Sequence, residues 1–218
     1  MMNRSPTRTP IALTAGALCA VAILAGCATP ADPAAETTRL VDQYVAESFL
    51  PGPGQDLSRL QQDDTQKDCT TTRGKPGDAL AEAIRAREAR NMAYPEGGRL
   101  LGDWKAGQKI FNDGFGYRIG SFIPSNPNAV RGGNCYACHQ GEKKEVAFGN
   151  LGTSLQSYGK VRGQSEPIVK YTYEKIYNAK VYNACSNMPR LGHKGILSPK
   201  QVADLTAYLL DPASPINQ

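Results

Sequence analysis

Five consecutive residues, Cys135-Tyr136-Ala137-Cys138-His139, have a spacing with a specific chemical use. Two thiols separated by two residues can each add to a vinyl group of haem. The imidazole that follows at once is then placed beneath the iron as an axial ligand. A redox Cys-x-x-Cys pair uses the same letters but belongs beside a βαβ pattern, which this sequence lacks. A zinc centre needs four ligands, and the chain has two histidines and no second Cys-x-x-Cys. The residues therefore predict one haem c, held covalently by Cys135 and Cys138 and ligated by His139. Two residues downstream could fill the sixth position of the iron, Met188 and His193. Asn187-Met188-Pro189 reads as a turn rather than as core helix, and Met188 is the ligand expected. Sulfur opposite imidazole raises the reduction potential relative to two histidines. With both axial positions filled, one haem passes one electron and leaves no site for a small substrate. The chain alone then reads as an electron carrier, and no residue is assigned as catalytic.

The 218 residues begin with an export leader. Arg4 and Arg8 precede an apolar run from Ile11 to Leu24, too short for a comfortable membrane span. The run ends in Leu24-Ala25-Gly26-Cys27, which resembles the bacterial lipobox. In such signals the chain is cut before the Cys, which then carries lipid. This predicts a lipoprotein-type signal over 1–26, a periplasmic location and a membrane tether at Cys27. The alternative is cleavage a few residues later, with Cys27 discarded. The formal charge is +5, and without Arg4 and Arg8 it is +3. That bias is too weak for nucleic acid and is compatible with docking onto an acidic partner. Of the remaining cysteines, Cys69 and Cys185 belong to no motif. In an oxidising compartment their simplest use is a disulfide. A reactive thiol, or a bond to a partner chain, is the other possibility.

The elements that must position these residues can be read in outline. Residues 28–35 resemble a tether, and the apolar positions Leu40, Val41, Tyr44, Val45 and Phe49 predict a helix over 36–49. Pro51-Gly52-Pro53-Gly54 ends it. Residues 55–77 are polar and read as irregular. Asp78 reads as the N-cap of a largely exposed helix over 79–91. Trp104, Gly107, Ile110 and Phe111 predict a short amphipathic helix over 103–112, with Gly107 at a close crossing. Ser198, Pro199 and Gln201 form a capping box, with Leu197 and Val202 as a staple, for a helix over 199–210. The two helices are expected to cross, with the haem held between loops.

Residues 133–218 resemble the SoxX subunit family of SoxAX cytochromes. The resemblance rests on Gly133-Asn134-Cys135-Tyr136-Ala137-Cys138-His139, on Gly149-Asn150-Leu151-Gly152, and on Tyr158-Gly159-Lys160-Val161-Arg162-Gly163. More specific are the run from Cys185 through Met188-Pro189-Arg190 to Leu197, and Asp211-Pro212-Ala213-Ser214-Pro215. The resemblance implies an all-α, class I cytochrome c fold: few short helices and long loops around one haem, over 99–218. A partly helical extension over 27–98 precedes it. Class I cytochromes place their axial Met in a loop before the last helix, where Met188 stands. Residues 149–155 are similar to the loop whose backbone carbonyl orients the proximal His, with Thr153 in place of the usual Pro. Leu191 stands where the family has Phe. The implied function is electron transfer within a heterodimeric L-cysteine S-thiosulfotransferase. That complex couples thiosulfate to a cysteine of the carrier protein SoxY and passes electrons to a small cytochrome c. In the family the reactive cysteine lies on the SoxA-type subunit, dihaem or monohaem. The alternative is a membrane-tethered class I cytochrome c that carries electrons generally. The long extension, the lipobox and the apolar segment 113–134, with Phe115, Tyr117, Phe122 and Ile123, depart from a simple soluble member.

Overall fold

A computed structural model describes residues 32–51, 57–113 and 132–218. The leader, the lipobox and most of the apolar segment 113–134 lie outside them, so the readings made there concern residues that are not described. Two units are separable, one ending at Ser48 and one spanning Phe49–Gln218. The first contains α1 (Pro33–Ser48), which buries none of its residues. Among the described residues no helix is long and apolar enough to cross a membrane.

The second unit is built on two crossed helices, as the capping signals and apolar spacing predict. α4 (Trp104–Asn112) starts where Asp103 accepts a hydrogen bond from the Lys105 amide, and buries Gly107, Ile110 and Phe111. α7 (Pro199–Leu210) carries the full Ser198–Gln201 capping box and is buried from Val202 to Leu210. A side chain at Gly107 would strike the Asp204 carbonyl and Tyr208, so glycine there sets how closely the helices approach. The Gly102 amide donates to the Ala203 carbonyl at 3.0 Å, and Asp204 accepts from the Asp103 amide at 2.9 Å. Phe111 and Tyr208 pack across the crossing with ring centroids 5.1 Å apart.

Two helices complete the core side. α5 (Tyr158–Arg162) is short, and α6 (Glu166–Tyr177) packs Val169, Tyr173, Ile176 and Tyr177 inward. The helix over 166–177 is not among those expected from the sequence. The start signal is present, since Ser165 precedes Glu166 and Pro167, with Pro in the first turn.

The extension differs from its polar appearance. Residues 64–71, expected to be irregular, form α2 (Asp64–Thr71). Asp63 and Gln66 make a capping box that compensates for a helix poor in apolar residues. α3 (Asp78–Ala89) follows, with Gly77 rather than Asp78 at its cap. It is not mostly exposed on its inner face, where Ile84 and Glu88 are fully buried. Both helices belong to the second unit, and Cys69 on α2 is disulfide-bonded to Cys185, 116 residues away.

Candidate haem site

The site starts from the end of α4. The Gly133 amide donates to the Ile110 carbonyl at 3.0 Å and the Asn134 amide to the Asp113 carbonyl at 2.7 Å. Asn134 then takes a left-handed conformation (φ 46°), a geometry Asn tolerates better than most residues. It turns the chain into a single 3-10 turn, Cys135–Ala137, closed by Cys138 and His139 amides on the Cys135 carbonyl. This turn presents both thiols and the imidazole within five residues.

A second loop fixes the imidazole. His139 Nδ1 lies 2.7 Å from the Thr153 carbonyl oxygen. A carbonyl only accepts, so Nδ1 carries the proton and Nε2 keeps its lone pair for a metal. The replacement of Pro by Thr at 153 does not remove this bond, because the acceptor is backbone. The loop is stitched to the motif by the Gly149 amide on Tyr136 and the Gly152 amide on Cys138, both 2.8 Å. Any side chain at Gly152 would collide with the His139 ring. Leu151, next in sequence to Gly152, is 86 % exposed.

The thiols do not resemble an oxidoreductase pair. Both are free, and burial pushes the Cys135 thiol up to about 12. Catalytic Cys-x-x-Cys thiols are shifted the other way. Free thiols on a tight turn, an imidazole with an available Nε2 and an apolar surround fit covalent haem. When bound, haem supplies a one-electron couple.

Met188 lies in the loop between α6 and α7, partly buried against the same apolar core as Cys135 and Leu191. The two strands of chain meet at Gly133. A side chain there would stand 3.1 Å from Cys135 Sγ and 3.2 Å from Leu191. His193 is elsewhere. Its ring is turned to Glu88 of α3, with Nδ1 4.0 Å from Oε2. Burial pushes its pKa below the ordinary value.

Three residues whose roles the sequence reading does not assign surround the Met188 loop. Arg190, with its side chain 4 % exposed, bonds Glu88 at 2.9 and 3.0 Å and Asp63 at 2.5 Å. Burial alone would raise both carboxylates. Hydrogen bonds to Glu88 from Thr65, Asn178 and Arg190 outweigh it and hold Glu88 below the carboxylate range. Lys194, Gln66 and Arg190 do the same for Asp63. The available signal was Arg190 within Met188-Pro189-Arg190. Behind the haem motif, Glu142 is also buried, bonded to Gln108 of α4, to Tyr208 of α7 at 3.1 Å and to Lys144 at 2.9 Å.

A cytochrome c family model matches residues 104–211, which include the motif, the Thr153 loop and Met188. The chain is also 39 % identical over 159 residues to an uncharacterized lipoprotein of Aquifex aeolicus (strain VF5). The match covers 72 % of this chain and 73 % of the relative. Residues 104–211 belong to the cytochrome c family. The helical fold without strands among the described residues is that of the family, and electron transfer through covalently bound haem c is what the family does. Within this cytochrome c domain, α4 and α7 supply the crossing and two loops supply the candidate ligands.

Proposed function

We propose that this cytochrome is the electron-transfer haem subunit of a SoxAX-type thiosulfate-oxidising complex. Cys135 and Cys138 would hold one haem covalently, and His139 and Met188 would ligate its iron. What carries the reading is the run from Cys185 to Leu197, in which four separate positions are used structurally at once. Cys185 forms the disulfide, Met188 and Leu191 pack on the core beside Cys135, and Arg190 joins a buried ionic cluster. Conjugation of thiosulfate to a carrier-protein thiol releases one proton and two electrons. The nucleophilic cysteine belongs to the SoxA-type subunit, and the electrons leave through this chain, one at a time, to a small cytochrome c. His139, its proton held on Nδ1, would offer Nε2 to the iron and Met188 its sulfur, so thiosulfotransferase activity is not expected of this chain alone. Lipid on Cys27 tethers the protein at the membrane on the periplasmic side, in keeping with the name of the Aquifex relative.

The test is thiosulfate-dependent haem reduction with a SoxA-type subunit and a thiol-bearing SoxY, with and without this chain. Turnover should collapse when the chain is omitted, and unchanged turnover refutes the assignment. The second reading, a tethered general carrier of electrons, is favoured by the relative's being a lipoprotein. It expects reduction by periplasmic donors with no dependence on thiosulfate, SoxA or SoxY.

A further inference from the structure

The extension over 57–98 lies outside the segment matched by the cytochrome c family, yet three of its residues reach the loop that carries Met188. They hold it on both flanks. Upstream, Cys185 is bonded to Cys69 of α2. Lys180, nearly buried, donates from Nζ to the Ser186 carbonyl at 3.1 Å on the same side. Downstream, Arg190 is gripped by Glu88 of α3 and by Asp63 at the cap of α2. Lys194 adds a further contact to Asp63 at 2.6 Å. Glu88 is braced in turn by Asn178 at 2.6 Å. Only four residues separate the disulfide cysteine from the arginine, and Met188 is among them.

We infer that α2 and α3 form a clamp that keeps Met188 at the iron, with Asp63, Cys69 and Glu88 as positioning residues that act through Cys185 and Arg190. The inference rests on Met188 being the axial ligand. A methionine on an untethered loop leaves and rebinds as the loop opens, and each opening exposes the iron to other ligands. A loop closed by a covalent bond on one flank and a buried ion pair on the other opens less often. The extension is thus a device for keeping a pure electron-transfer site from acquiring an open coordination position.

The experiment uses the full haem-loaded chain and three clamp variants. These are the double variant Cys69→Ser/Cys185→Ser, Glu88→Gln, and Arg190→Met with Arg190→Lys as its conservative rescue. Asn217→Ala is the control. It removes hydrogen bonds donated to the Leu209 and Asp211 carbonyls and one accepted from the Gly159 amide, away from the clamp. Three readouts are taken: the ferric iron–methionine absorption band, the rate at which imidazole binds ferric haem, and amide exchange at Ser186, Gly192 and His193. Those amides bond Asn183 and Tyr177 carbonyls and report loop opening without reference to iron. Clamp variants should weaken the band, and should speed imidazole binding and amide exchange by about tenfold or more, the equivalent of ~1.4 kcal/mol. Lysine at 190 should recover part of the loss, and Asn217→Ala should change neither rate while lowering the melting temperature. The clamp is refuted if its variants bind imidazole and exchange at the parental rates. Acceleration by Asn217→Ala as large as theirs refutes it equally. Absence of the methionine band in the parent, or its survival in Met188→Ala, instead overturns the ligand assignment, and amide exchange then still decides whether the loop is clamped.

Discussion

Residues 132–157, which carry Cys135, Cys138 and His139, are tied down mainly by backbone hydrogen bonds and contain one 3-10 turn but no α-helix. Residues 177–197, which carry Met188, have as little α-helix but hold a disulfide and a buried arginine between two carboxylates. The first region leaves Val146 and Leu151 almost fully exposed, whereas the second places Tyr177, Arg190 and Leu197 inside. The difference teaches how the two candidate ligands are delivered. His139 is oriented by a few local bonds and would be completed by the haem it is placed to hold. Met188 is delivered by a frame built from the protein itself, much of it outside the family-matched segment.

The strongest way to break this comparison is to remove haem attachment. Cys135→Ser/Cys138→Ser should abolish covalent haem, seen as loss of haem staining on a denaturing gel. Amides of 132–157 should then exchange freely while those of α3 and α6 stay protected; equal loss on both sides would contradict the contrast. Next in size is Arg190→Met, which leaves Glu88 buried without its guanidinium and should cost about 3–5 kcal/mol in urea unfolding. Acid comes third. Asp63 and Glu88 are depressed, so their contribution is full above the unfolded carboxylate pKa of about 4 and is lost as pH falls through their lower folded values. His193 is depressed by burial, so its contribution is present above about pH 6.5 and fades as pH falls through its folded value. Unfolding free energy should therefore fall in two stages on acidification, and His193→Gln should remove only the earlier one. Smallest is Ser198→Ala. It loses the capping box of α7 for about 1 kcal/mol, with no preference between the two sides.

Local signals made the haem side legible in the sequence. The motif is contiguous, the orienting carbonyl sits in a short loop downstream, and Gly107 announces a crossing that Asp204 and Tyr208 confirm. Apolar spacing placed α4, and capping chemistry placed α7. The clamp was less legible because its parts are distant in sequence: Glu88 and Arg190 lie 102 positions apart. Cys69 and Cys185 could be paired by elimination, but nothing local says what the bond restrains. α2 was hidden because its residues are polar, and a helix without an apolar stripe has only its cap to announce it. Glu88 looked like a solvent-facing charge because burial depends on a partner the periodicity of α3 does not contain.

The bond between Cys69 and Cys185 also bears on how the protein is made. The loop it closes contains both of the thiols meant for haem. Four thiols can be joined in three complete pairings, and only one of them unites Cys69 with Cys185. Thiol–disulfide exchange keeps such pairings in play while free thiolates remain. Thioether formation would withdraw Cys135 and Cys138 from that exchange for good, leaving Cys69 and Cys185 as the cysteines still able to pair among the described residues. Haem attachment would thereby favour the native pairing of Cys69 with Cys185, and a shortage of haem should show first as scrambled, non-native disulfides.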